Sequence, residues 1–165
     1  MSIWPSIVAV LGTLAGALTA GLLQHRSARS ARAEERADGR RQDQLGAVTE
    51  FAAALDAHRS AMFHRERLNL TGATGAEHQL EAETRSHDTR AAVTAPHIRL
   101  QVLVPELAVA AQQAADATYA LRKAADRTEL DVRRHAAKEA SVAFIAAAAS
   151  LLSPANRSAR PAPSS

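Results

Sequence analysis

Cysteine is absent from the 165 residues, which excludes disulfides and thiolate metal sites and says nothing about the redox compartment. Aromatic residues are scarce, with one Trp, one Tyr and three Phe. Strands favour aromatic and β-branched side chains, so an extended sheet is not expected. Lysine is rare as well: Lys123 and Lys138 stand against 18 Arg. The net charge of +3 is small, and by itself it argues only weakly for nucleic acid. Chemistry-bearing patterns are also missing. There is no Gly-rich phosphate loop, no HExxH, no GxSxG and no pair of carboxylates set on an apolar wall. Seven His are present, but His58 and His64 are six apart and fall on different faces of one helix. The expectation is a non-enzyme with no catalytic residues, no metal and no cofactor.

What the chain does have is alanine, 40 residues of it. Alanine is the best helix former and lets helices pack closely, so an all-α fold is expected. No internal repeat with a definable period is visible.

From Ile3 to Leu23 there are 21 residues without a charge. As a helix they span about 31 Å, the thickness of a bilayer's hydrocarbon core. Trp4 lies at one end, where an indole prefers the interface, and Pro5 sits where a first turn tolerates it. A cleaved leader would begin with positive residues and be shorter, and a retained single transmembrane helix over residues 1–24 is expected. Arg26, Arg29, Arg32, Arg36, Arg40 and Arg41 follow directly. Arg-rich flanks stay in the cytoplasm, which places the amino terminus outside and the body inside a cell membrane. Gly12, Gly16 and Ala20 form a small-residue row through which two such helices could pack in lipid, and a homo-oligomer is expected on that ground.

Residues 25–44 carry no apolar stripe and read as a charged helical stalk. Five of its Arg fall on one arc, with Glu34, Glu35 and Asp38 on the other. A basic face beside a membrane can rest on anionic headgroups. These acids favour instead a solvated stalk whose Arg residues set topology.

Residues 45–152 read as a small antiparallel helical bundle. One helix is expected over about 45–68, with Leu45, Val48, Ala52, Leu55 and Met62 on its stripe. A Gly72/Gly75 loop follows, and then a helix to about Thr94 with Leu80, His87 and Ala91 in line. Pro96 and Pro105 are expected to interrupt the chain around a short apolar piece. Two further helices carry Leu107, Ala111, Ala114, Thr118 and Leu121, then Leu130, Ala137, Ser141, Phe144, Ala148 and Leu151. The uncharged run Ala140 to Leu152 has 13 residues, too short to cross a bilayer. Residues 153–165, rich in Pro, Ser and Arg, read as a disordered tail. Arg59, Glu66, His87 and Arg90 lie on or beside the stripes, and charges seldom enter a core unpaired. They are expected to form a structural polar cluster across the first helix hairpin, with a pH-sensitive contact through His87 as the alternative.

The stretches His58 to Gly72, Ser86 to Pro96 and Leu103 to Arg122 resemble the KilB-type proteins of mycelial actinobacteria, as does the order of anchor, Arg-rich stalk and helical body. That resemblance implies a small membrane-associated protein linked to the spread of conjugative plasmids or related integrated elements. It carries over no active site. The expected partners are the lipid bilayer, a second copy of the chain and transfer-machinery proteins. DNA contact is the less favoured alternative, because the stalk has acids and the chain few aromatics for base stacking.

Overall fold

The computed structural model describes the backbone of residues 4–72 and 75–153 and the side chains of residues 32–72 and 75–153. The side chains of the expected membrane segment, including Gly12, Gly16 and Ala20, lie outside the described residues, as do those of Arg26 and Arg29 and residues 154–165 of the expected tail. Among the described residues every element is helical, and no helix is long and apolar enough to cross a membrane. The chain divides into two compact units, residues 1–41 and 42–165.

Helix α1 runs Trp4–Thr71. In the first unit its residues 32–40 are all exposed, Arg32, Arg36 and Arg40 among them, and Arg41 is half-buried. In the second unit it supplies one wall of the bundle. It stops at Gly72, whose φ of +60° is left-handed backbone that costs a glycine little. The Gly72 N–H caps the Leu68 carbonyl at 3.2 Å.

Helix α2 runs Ala76–Leu103, straight through Pro96, which corrects the expected break there. A proline inside a helix costs about 3 kcal/mol relative to alanine. Here Val93 and Leu100, seven residues apart across it, are 1% and 0% exposed, and ending the helix would pull one of them from the core. His97, directly after the proline, stacks on Phe51 at 5.0 Å. Pro105 is the proline that terminates α2: Val104 before it is extended (φ −142°, ψ 64°), as a residue preceding proline prefers. A 3-10 turn, Pro105–Leu107, leads into α3, Ala108–Tyr119.

Helix α4 runs Arg127–Leu152 and begins with reciprocal capping. The Glu129 N–H donates to Asp126 Oδ1 at 2.8 Å, and Glu129 Oε2 accepts from the Ala125 N–H at 2.6 Å. The Ala125 N–H, and after it Arg133, hold the Glu129 carboxyl below its ordinary range.

Alanine determines the packing. Ala47, Ala111, Ala114, Ala115 and Ala137 have no exposed surface, so neighbouring backbones approach closely around a few large groups. Phe51 and Phe144 meet edge to face at 5.3 Å in the larger core cluster, with Leu55, Val93 and Leu100 beside them. Met62, Leu121 and Leu130 centre a smaller one near the α3–α4 turn. The stripe expected on α3 is buried, and so is that on α4 apart from the half-buried Ser141 and Leu151. On α1 the buried row is Ala47, Phe51, Leu55, His58, Met62 and Glu66, while Leu45 is 45% exposed and Val48 and Ala52 are half-buried. On α2 the expected face is the outer one: Leu80 is 64% exposed and His87 and Ala91 are exposed. Its inner face there is Ala82 and Ser86, too small to register as an apolar stripe.

Candidate functional site

The charged and polar groups that enter the bundle gather where α1, α2 and the α3–α4 turn meet. Glu66 is 5% exposed. Arg65, the preceding residue, clasps its Oε1 at 2.6 Å, and its Oε2 accepts from the Lys123 N–H at 3.3 Å. Lys123 has a φ of 59°, left-handed backbone that ordinary side chains resist, and the Glu66 carboxylate holds its amide in place. Arg65 also donates to Ser86 Oγ at 2.9 Å. One buried carboxylate thus links three segments through an arginine, a hydroxyl and a backbone amide, which is how a buried charge becomes tolerable.

Two turns earlier on α1, His58 is 1% exposed. Its Nδ1 lies 3.0 Å from Thr89 Oγ1, and that hydroxyl already donates to the carbonyls of Arg85 (2.9 Å) and Ser86 (3.2 Å). The geometry therefore makes Nδ1 the donor to Thr89. That tautomer leaves Nε2 as a bare acceptor, buried and without a hydrogen-bond partner. Burial, then the Arg90 and Arg65 guanidinium groups, lower the imidazole's pKa to about 4. Tyr119 packs edge-on at 5.5 Å, and Arg90 lies over the Tyr119 ring at 4.0 Å.

The four residues expected to cluster do not form one set. Arg59 pairs with Asp56, one turn away on its own helix. His87 is exposed beside Glu83 at 3.8 Å, so neither a buried pairing nor a sheltered pH contact is available to it. Arg90 serves Tyr119 rather than Glu66. Only Glu66 occupies the expected buried position, and its partners are Arg65 and the Lys123 amide; the bond across the hairpin, to Ser86, is made by Arg65. His58 and Thr89 were legible only as a stripe position, since His58 lies at helical spacing from Leu55 and Met62.

Concavities adjoin this region. A pocket of about 140 Å³ near the α1–α2 loop is lined by His64, Leu68, His78, Glu81, Ala82 and Arg85. A groove of about 410 Å³ separates α1 from α4, with Leu55 and Phe144 at its sides. Among the described residues no three His, Asp or Glu side chains converge as a metal site.

Residues 45–152 match the model of the KilB plasmid transfer protein family. The chain belongs to the KilB family. "Protein KilB" of Streptomyces lividans is 51% identical over 144 residues, covering 87% of this chain and 95% of that protein. No solved structure matches. The KilB match spans both halves of the Glu66 clasp and the His58–Thr89 pair, so these belong to the part of the chain that the family model covers.

Proposed function

We propose that this KilB-family protein is a membrane-anchored, non-enzymatic interaction protein that assists the transfer or spread of a conjugative plasmid. The observation that carries the reading is the coincidence of the family match with a helical body that follows a 21-residue uncharged run and an Arg-rich stalk. The run is long enough to span a bilayer, and the arginines after it favour a cytoplasmic body. Residues 153–165 lie outside the family match and carry no part of this reading. The buried polar groups support a scaffold role, since Glu66 and Arg65 have their hydrogen-bonding capacity committed to other segments of the same body. Bilayer, transfer-machinery proteins and a second copy of the chain are the proposed partners.

Full-length protein should stay with membranes through carbonate washing. Cysteine introduced by Ser2→Cys should label from outside intact cells, and cysteine introduced by Ser60→Cys should not. Protein released into the soluble fraction would overturn the anchor, and labelling at position 60 alone would reverse the topology.

A second reading, a membrane-tethered contact with DNA, is favoured by one observation. Arg32, Arg36 and Arg40 are exposed at one-turn spacing. For a helix leaving the bilayer along its normal, they would lie roughly 14 to 26 Å past Leu23, beyond the ~8 Å screening length over which headgroups attract. Duplex DNA retained by the protein in neutral-lipid discs, and released steeply by salt, would support that reading.

A further inference from the structure

We propose that the face shared by α1 and α4 is a docking surface for the same face of a second copy of this chain. Helix α4 is apolar on two sides. One side, with Phe144 at 1% and Ala148 at 2% exposure, fills the core and fixes the rotation of the helix. About 100° to 160° around it stand Val142 and Ile145, 65% and 51% exposed. Turning them inward would drive Phe144 out, so the bundle itself cannot cover them. A helix with two apolar faces has two partners, and exposed apolar surface beside a groove marks an interaction site.

The opposite wall of the groove is α1, through Ala52, Leu55, Asp56 and Arg59. Leu45, Val48, Ala52 and Leu55 repeat there at the alternating three- and four-residue spacing that a neighbouring helix reads, and Leu45 is 45% exposed. Of this row Leu45 is exposed and Val48 and Ala52 are half-buried, while Leu55 reaches from the groove wall into the core.

Charge selects the occupant. Asp56 stands on the α1 wall with its side chain 60% exposed, paired to Arg59. Lys138 stands on the α4 wall, exposed and, among the described residues, with no acid partner in its own chain. A two-fold axis along the groove lays the α1 wall of each copy on the α4 wall of the other. Each Asp56 then meets the other copy's Lys138, and the apolar residues meet across the axis. An isologous contact needs this self-complementarity, an acid on one wall and an uncommitted base on the other.

The chain's lack of cysteine makes the test clean. Full-length Ile145→Cys is treated in whole cells with a membrane-permeant short bismaleimide, so the result does not depend on whether the anchor reading holds. Val109→Cys, on α3 and 71% exposed, is the control. The expected result is a self-dimer for Ile145→Cys and none for Val109→Cys. Adding Lys138→Glu should lower dimer yield by about fivefold, and combining it with Asp56→Lys should restore it. All four positions are at the surface or groove rim, and unchanged helical circular dichroism confirms an intact fold. A monomer at Ile145→Cys, equal yields at the two cysteine positions, or linkage to a different protein would each overturn the proposal.

Discussion

Replacing Glu66 with alanine tests whether the polar clasp is structural, and the geometry sets the size of the effect. The substitution leaves Arg65, whose side chain is 14% exposed, without its carboxylate, and leaves the Lys123 amide without its acceptor. Removing one partner of a buried ion pair costs about 3 to 5 kcal/mol. Arg65 keeps its bond to Ser86 and some solvent, so about 3 kcal/mol is expected. For a domain of this size that corresponds to a fall in melting temperature of roughly 10 °C. The assay is thermal unfolding of the full-length protein by circular dichroism, run as two double-mutant cycles. Arg65→Ala should be strongly coupled to Glu66→Ala, because the second loss removes a charge already stranded. Arg90→Ala should be additive with it, since Arg90 lies on Tyr119. Additivity in the Arg65 cycle, or coupling in the Arg90 cycle, would refute the assignment of partners.

His58 titrates near pH 4 in the folded protein and near 6.5 when unfolded, so the unfolded chain takes up its proton first on acidification. The stability held by its neutral form is therefore complete above about pH 6.5 and lost as pH falls towards 4, by about 3 kcal/mol in all; His58→Leu should flatten that part of a stability–pH curve. Ala111→Leu and Ala114→Leu, at positions with no exposed surface, should each destabilise by about 1 to 3 kcal/mol in denaturant unfolding, because the helices cannot separate without strain. Pro96→Ala should raise the melting temperature by up to about 10 °C, since α2 is already continuous there and the proline only weakens it; a loss of stability would mean that the proline is needed where it stands.

The helical class and the inner faces of α3 and α4 could be read directly, because each carries a stripe of Leu or Phe among small residues. The α2 face could not. Its inward positions near the loop are Ala82 and Ser86, and any reading weighted by hydropathy turns towards Leu80, which faces water. Pro96 misled for a related reason: a local rule about proline met a tertiary demand from Val93 and Leu100, and the tertiary demand was larger. At the polar site, Glu66 was visible as a charge on a stripe. Its partners were not, because one is its own sequence neighbour and another is a backbone amide 57 residues away, and helical periodicity describes neither.

The clasp also divides mutational tolerance unequally between its two ends. Position 66 contributes a side chain and must be a carboxylate of glutamate's reach. Position 123 contributes a backbone N–H from left-handed backbone, and the lysine side chain itself is exposed. Glycine or asparagine could therefore stand there at no loss or some gain, and a β-branched residue would strain the turn. Proline alone would remove the hydrogen atom on which the carboxylate closes. Sequence drift at residue 123 should accordingly be wide but never include proline, whereas at residue 66 even the loss of one methylene to aspartate should open the joint.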